Sequence, residues 1–289
     1  MSEKMELNMY SDFFRNNGYV LVKNAVPKNL CQNAVSRIFE FMGQTPSNPD
    51  VWYDPPAGMD RYFEEQNRGM LPFFHDQSLW DIRMHPRIYE IFSELLGLRE
   101  LWVSLDRVNM KLPKRAGFSS LNTGFIHWDT DTSDLKFPIR QPSGKMQGVL
   151  YLADTSADQG GFQCVPEIYR NLEEYINSQP PNRDPRVPDI SGYDVLPVPG
   201  EAGDLLIWDV LLPHGNGENL SNEIRFAQYI TMFPAPPDRA GHAQVRIESW
   251  RNYTSTFLPG DPRGWEREHN EGPAVLTDLG RKLLGIDMW

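Results

Sequence analysis

The sequence predicts a mainly β protein with flanking helices, whose core is a β sandwich or jelly roll. From about residue 101 the apolar positions alternate with a period of two, in short segments rich in β-branched and aromatic residues. Long loops separate these segments, which is typical of packed antiparallel layers and not of a parallel sheet. The first hundred residues instead show a helical period around one short strand.

With 289 residues, the chain can bury a substantial core within one domain. We expect a single domain over residues 1–289, with a helical amino-terminal part at 1–100, a β core at about 101–250 and a carboxy-terminal extension at 251–289. The net charge of −11 argues against a nucleic-acid or anionic-membrane partner. Two distant cysteines, a charged amino terminus and the lack of a long apolar run predict a cytoplasmic protein.

The amino-terminal part begins with a predicted helix at residues 9–16, which ends at Gly18. The apolar run at residues 19–22 predicts a strand directly after it. Pro27 then opens a second helix, because proline suits the first helical turn, and Gly43 ends this helix.

The next segment, residues 44–69, is rich in Pro, Gly, Asp and Asn and predicts a loop. A helical hairpin follows, and Ser78 with Asp81 predicts a capping pair at its start. Pro86 restarts the helix and Gly97 ends it.

Five strands are predicted in the β core, at residues 101–108, 147–153, 204–210, 225–233 and 244–250. Within the core, residues 168–199 form a predicted insertion with a short helical stretch followed by a proline-rich loop. Long loops inside compact domains are often functional, so we interpret this insertion as a lid.

A candidate metal site begins at His127 and Asp129, which point to the same side of an extended segment. Far downstream, His214 follows a strand-like run and is flanked by Pro213 and Gly215, where glycine permits close backbone approach. Arg225 begins the next predicted strand, so a hairpin would bring it near His214.

The chemistry of these residue types favours a non-haem Fe(II) oxygenase. Two imidazoles and one carboxylate occupy one face of a six-coordinate ion and leave about three positions for substrate and oxygen. A 2-oxo acid can take two of these positions, and O2 the last. Arg225 can then grip the far carboxylate of 2-oxoglutarate, because guanidinium offers paired hydrogen bonds that Lys does not.

The chain resembles the phytanoyl-CoA dioxygenase family of Fe(II)/2-oxoglutarate-dependent oxygenases over about residues 10–233. The segments that carry this resemblance lie at residues 12–20, 154–166, 203–208 and 214–219, together with the ligand residues and Arg225. The resemblance implies a double-stranded β-helix (jelly roll, cupin-like) core. It also implies iron binding by His127, Asp129 and His214, and a 2-oxoglutarate carboxylate on Arg225.

By the same resemblance, Asn109, Gln147 and Asn216 fall where family members contact the cosubstrate. Two features depart from the family. Residues 166–169 replace its usual Pro-Gly-Ser-His sequence, and the 168–199 insertion is longer than expected. Both departures lie where the family shapes its substrate opening, so the sequence does not identify the substrate.

The expected function is hydroxylation of an unactivated C–H bond of a small metabolite, in specialised or secondary metabolism, with 2-oxoglutarate converted to succinate and CO2. Desaturation or rearrangement by the same iron chemistry is an alternative. A catalytically inactive binding protein is a second alternative, but the intact triad and Arg225 argue against it. Halogenation is disfavoured because such halogenases carry Gly or Ala where this chain has Asp129. A cupin-like metabolite binder is disfavoured by Arg225.

The remaining histidines are interpreted as structural or exposed, with His75 favoured as structural and His85 as a helix-boundary residue. His242 and His269 lie in polar surroundings, which predicts exposure. Cys164 is interpreted as a small buried hydrophobe and not as a reactive thiol.

Overall fold

The computed structural model describes residues 3–54, 56–59, 69–115, 124–256 and 260–289, with side chains from residue 7 onward. The helices are α1 (Glu3–Asn17), α2 (Lys28–Met42), α3 (Gln77–Arg83), α4 (Pro86–Leu96), α5 (Pro166–Arg170), α6 (Leu172–Ser178), α7 (Ala240–Asn252), α8 (Trp265–Glu268) and α9 (Asp278–Leu284). The strands are β1 (Tyr19–Val22), β2 (Met70–Leu71), β3 (Leu101–Val103), β4 (Val108–Lys111), β5 (Met146–Tyr151), β6 (Phe162–Cys164), β7 (Leu196–Pro197), β8 (Leu205–Asp209), β9 (His214–Asn216), β10 (Arg225–Tyr229) and β11 (Met232–Pro234).

Two antiparallel sheets form the core. A six-stranded sheet has the order β1-β8-β5-β10-β4-β2, and a three-stranded sheet has the order β7-β6-β9. Strand residues alternate between faces, so on β8 Leu205 and Ile207 pack under the helices while Leu206 and Trp208 face the smaller sheet. The predicted β core with flanking helices is therefore confirmed.

At the start of the chain, α1 begins at Glu3, six residues before the predicted start at residue 9, and ends at Asn17, one residue later than predicted. Strand β1 has the predicted bounds, and α2 begins after Pro27 and ends at Gly43, whose φ of 61° is the left-handed value that favours glycine. Gly18 also has a positive φ of 76°, and a Cβ there would lie 2.7 Å from the Tyr169 ring. Both glycines thus end their helices for backbone reasons.

Two predictions about helices were wrong. Residues 244–250 lie inside helix α7 and not in a strand. Its buried residues Ala243, Arg246 and Ser249 recur every three positions, whereas Val245, which made the run look β-like, is exposed. The predicted capping pair is also absent: Asp76 caps α3 by accepting from Ser78 N, so the helix starts two residues earlier than a cap at Ser78 predicts.

Two long predicted strands each divide in two. Residues 101–108 contain β3 and only the first residue of β4, which continues to Lys111, and residues 225–233 contain β10 and the first two residues of β11. Strands β4 and β10 pair in the six-stranded sheet, whereas β3 and β11 pair separately as a two-stranded sheet. The two runs therefore leave the large sheet together, and the strands of the described core end at β11, short of the predicted 250.

The two predicted loop segments contain some local structure. A 3₁₀ turn, Pro49–Tyr53, lies within the 44–69 loop, of which residue 55 and residues 60–68 lie outside the described part. The predicted insertion starts its helical stretch at α5, two residues before position 168. Among the helices in the described ranges, none combines the length and apolar character that a membrane crossing requires.

Candidate metal centre

Two histidines from distant segments meet at the edge of the three-stranded sheet. His127 N donates to His214 O at 2.9 Å, and His214 N donates to His127 O at 3.0 Å. Residues that exchange both backbone hydrogen bonds lie directly opposite each other, with side chains on one face. The two imidazole centroids are accordingly 4.9 Å apart.

Asp129 completes a triad with these histidines. Its Oδ1 lies 3.2 Å from His127 Nε2, and its Oδ2 lies 3.5 Å from His214 Nε2. One ligand atom from each of the three residues can be chosen so that all lie within 4.8 Å of one another. The three residues singled out by spacing in the sequence therefore converge on one point.

The hydrogen bonding of His214 shows that this triad suits a cation. His214 Nδ1 lies 2.9 Å from Leu212 O, and because a carbonyl only accepts, Nδ1 carries the hydrogen. The lone pair of Nε2 then faces the Asp129 carboxylate, an arrangement that repels unless a positive charge lies between them. Two imidazoles and a carboxylate are the donor set that non-haem Fe(II) uses.

The carboxylate of Asp129 is held ionised and oriented. Burial acts to raise its pKa, but the neighbouring His127 and His214 rings and the hydrogen bond from Gln147 outweigh burial and hold the pKa well below its usual range. Gln147 Nε2 donates to Asp129 Oδ2 at 2.7 Å. Trp208 Nε1 donates to Gln147 Oε1 at 2.9 Å, which fixes which end of the amide faces the carboxylate.

Aromatic rings and a glycine shape the walls around the two imidazoles. Phe125 stacks on His127 with centroids 5.2 Å apart, and Phe162 stacks on His214 at 5.7 Å. A Cβ added at Gly215 would lie 2.0 Å from Phe125 O, so only glycine allows the two segments to approach this closely. The close backbone approach predicted at Gly215 is present.

Arg225 lies at the deep end of the same cavity and is only 1% exposed. Its Nη1 donates to Asn109 Oδ1 at 2.9 Å, while its buried Nε has no hydrogen-bond partner. Lys111 lies directly opposite on β4, and burial together with the Arg225 charge lowers the Lys111 pKa to about 8. A buried guanidinium with an unused donor suits a carboxylate.

A cavity of about 210 Å³ joins these groups, and its lining includes the triad, Gln147, Asn216 and Arg225. Asn109 reaches it through Arg225. The sequence reasoning missed several further lining residues, among them three polar ones: Asp106, Arg107 and Tyr229. Tyr229 could have been found by strand alternation from Arg225. Asp106 and Arg107 could have been found because this charged pair interrupts an otherwise apolar, strand-like run.

A larger surface groove, of about 640 Å³, lies elsewhere, against Phe39, Trp52 and Phe226. Chemistry and not volume identifies the site, because within the described ranges the triad is the one group of three His, Cys, Asp or Glu residues close enough to share an ion. His75 is fully buried and bonded to Ser249 Oγ and Thr254 O, away from the cavity, as its structural interpretation predicts.

Comparisons with known proteins show the family of this chain. The family description "Phytanoyl-CoA dioxygenase (PhyH)" matches residues 14–227. A protein of Dictyostelium discoideum that carries the phytanoyl-CoA dioxygenase name is 24% identical, over 96% of this chain and 86% of that protein. The Ava biosynthesis cluster protein O of Aspergillus versicolor is also 24% identical, over 78% of this chain and 77% of its own length.

Among solved structures, the non-haem, α-ketoglutarate-dependent epimerase SnoN from nogalamycin biosynthesis is similar in fold. It superimposes with a TM-score of 0.56 at 18% identity, covering 81% of this chain and 82% of that one. At this identity the likeness shows the fold alone.

Proposed function

Because the chain belongs to the phytanoyl-CoA dioxygenase family of Fe(II)- and 2-oxoglutarate-dependent enzymes, we propose that it hydroxylates an unactivated C–H bond of a small metabolite and converts 2-oxoglutarate to succinate and CO2. The observation that carries this proposal is the convergence of the triad and Arg225 on one cavity. These four residues come from three separate segments of the chain, so the arrangement is a product of folding and not of local sequence.

In this proposal His127, Asp129 and His214 hold Fe(II). Bound Fe(II) supplies the activation of O2 that is coupled to oxidative decarboxylation of 2-oxoglutarate. The protein contributes an ionised carboxylate and two imidazole ligands at a cavity of about 210 Å³.

Arg225 receives the far carboxylate of 2-oxoglutarate. Support comes from its burial and its unpartnered Nε, because an anion placed there satisfies a donor that is otherwise buried without a partner. Asn109 orients the guanidinium through Nη1. Asn216 and Gln147 line the same cavity and are proposed to contact the cosubstrate.

The substrate is proposed to be a small molecule of secondary metabolism. The Aspergillus versicolor relative, named for a biosynthesis cluster, supports this assignment. Residues 1–289 are proposed to act as one catalytic domain, because β1 near the start is an edge strand of the large sheet and α9 near the end packs on β3.

The test is to measure succinate formed from 2-oxoglutarate with Fe(II) and O2, with a library of candidate small metabolites and without added substrate. Wild-type protein should form succinate, and Arg225→Ala should need much more 2-oxoglutarate to do so. Mass spectrometry of the accepted metabolite separates the products: a gain of one oxygen supports hydroxylation, whereas loss of two hydrogens or an isomer supports desaturation or rearrangement. Absence of succinate under every condition would favour an inactive binding protein.

A further inference from the structure

The insertion predicted as a lid lies directly against the segment that carries Asp129. Trp128 N donates to Arg186 O at 2.8 Å, and Thr132 N donates to Pro185 O at 3.2 Å. Residues 183–186 therefore run alongside residues 128–132 with backbone hydrogen bonds on both sides of Asp129. Such bonds hold two segments in register.

Side chains reinforce this contact. Arg183 donates from Nη1 to Thr132 Oγ1 at 2.8 Å and from Nη2 to Thr132 O at 3.0 Å. Arg186 Nη1 donates to Asp129 O at 3.2 Å. Thr132 is only 1% exposed, so loss of its partners would leave buried polar atoms unsatisfied.

The insertion is itself well anchored. The Tyr175 ring packs edge-on against Trp128 with centroids 6.1 Å apart, and Tyr175 OH donates to Asp189 O at 3.0 Å. Trp128 is buried and its Nε1 donates to Leu211 O at 2.8 Å. Pro185 and Pro188 restrict the intervening backbone. These contacts anchor the insertion against the segment that carries Asp129.

The three candidate ligands are held in different ways. His127 and His214 are positioned by their reciprocal backbone bridge, and His214 also belongs to β9. Asp129 lies beyond that bridge, in a bend. The hydrogen bonds from residues 183–186 give the Asp129 segment the support that sheet pairing gives the histidines.

We propose that residues 183–186 position Asp129 for metal binding, with Arg183 and Arg186 as positioning residues. This inference rests on the proposed function, since it assumes that the triad binds Fe(II). Its physical basis is preorganisation: a ligand whose backbone is fixed loses less conformational freedom when the ion binds.

The experiment titrates Co(II), a spectroscopic substitute for Fe(II), into wild-type protein and the Arg183→Ala, Arg186→Ala and double variants under anaerobic conditions. The double variant should bind Co(II) about 10- to 100-fold more weakly, the usual cost of removing an outer partner of a metal ligand. Its cobalt absorption bands should also shift, because the carboxylate is no longer fixed. Arg186→Ala removes an exposed side chain and keeps the protein folded.

Arg170→Ala is the matched control, because Arg170 is an exposed arginine of the same insertion that donates to Asn17 Oδ1, away from the site. It should bind Co(II) within about twofold of wild type. Unchanged affinity and spectra in a folded double variant would overturn the positioning role while leaving the proposed function intact. Failure of the wild type itself to bind Co(II) or Fe(II) would instead overturn the proposed function, and this inference with it.

Discussion

The cavity between the two sheets and a polar cluster under the helices bury similar side chains in opposite ways. The helical cluster consists of His75, Arg246 and Glu266, all under 9% exposed. In it, Arg246 Nε donates to Leu284 O at 3.0 Å, whereas Arg225 Nε in the cavity has no partner.

The histidines show the same contrast. Both ring nitrogens of His75 have neighbours, with Trp80 Nε1 donating to Nδ1 at 3.4 Å and Thr254 O lying 2.8 Å from Nε2. In the cavity, His214 instead presents Nε2 to a carboxylate it shares with His127. Burial of an imidazole or a guanidinium therefore does not mark a functional site. A functional site is indicated instead where buried polar atoms without protein partners, such as Arg225 Nε, lie around one cavity.

The strongest test of this contrast removes the shared carboxylate. Asp129→Ala should lower 2-oxoglutarate turnover on the order of 10³-fold, because an incomplete ligand set loses the several kcal/mol that the metal contributes. Its free energy of unfolding should change little, since the removed side chain is 40% exposed. Turnover is measured as succinate formed, and stability by urea denaturation.

Asp131→Ala is the control for this substitution. Asp131 is exposed, two residues further on, and accepts hydrogen bonds from Ser133. Its loss should leave turnover within about twofold of wild type. Equal losses in the two variants would mean that the segment matters only as structure.

Paired arginine substitutions test whether the unused donor of Arg225 is functional. Arg225→Lys should raise the KM for 2-oxoglutarate about 10- to 100-fold, because an ammonium cannot reproduce the paired guanidinium contact. Arg246→Lys should leave that KM unchanged but cost about 2 kcal/mol of stability, since its guanidinium donates to the carbonyls of Val103, Leu283 and Leu284. Steady-state kinetics measure the KM, and urea denaturation measures the stability. The comparison is wrong if Arg246→Lys raises the KM for 2-oxoglutarate and Arg225→Lys leaves it unchanged.

The helical cluster also predicts a pH dependence of stability. Burial, with a smaller contribution from the Arg83 charge, lowers the His75 pKa from 6.5 to about 3. The unfolded chain therefore binds a proton below pH 6.5 that the folded chain does not bind until about pH 3. The stabilising contribution is complete above pH 6.5 and is lost as the pH falls.

Between pH 7 and pH 5 the His75 linkage alone should remove about 2 kcal/mol from the free energy of unfolding. Glu266 acts in the opposite direction, because burial raises its pKa to about 7 and the folded chain then binds a proton that the unfolded chain does not. The free energy of unfolding of His75→Gln relative to wild type should therefore rise by about 2 kcal/mol from pH 7 to pH 5, whereas that of His242→Gln, at an exposed position, should stay constant relative to wild type. Urea denaturation at a series of pH values gives both slopes. If the free energies of unfolding of wild type and His75→Gln change with pH in parallel, His75 does not contribute to the pH dependence of stability.

The sequence predicts the cavity better than the helical layer, for a physical reason. The candidate ligands and Arg225 are identified by residue type and by strand alternation, and both can be read from the sequence without knowledge of tertiary contacts. Helix α7 was mistaken for a strand because a short run with Val245 and Ile247 fits both periods, and only packing decides between them. The support from residues 183–186 is likewise invisible in the sequence, because it depends on two loops meeting.

The smallest expected effect concerns the orientation of the Gln147 amide. Trp208→Phe removes the Nε1 donor that fixes this amide but keeps most of the ring packing against Phe162. Co(II) affinity should fall only about three- to fivefold, because the bond from Gln147 to Asp129 can still form once the amide rotates correctly. Trp250→Phe is the matched control from the helical layer, where Nε1 donates to Ala274 O. It should lower stability without changing Co(II) affinity, so a similar loss of affinity in both variants would show that the effect is general destabilisation.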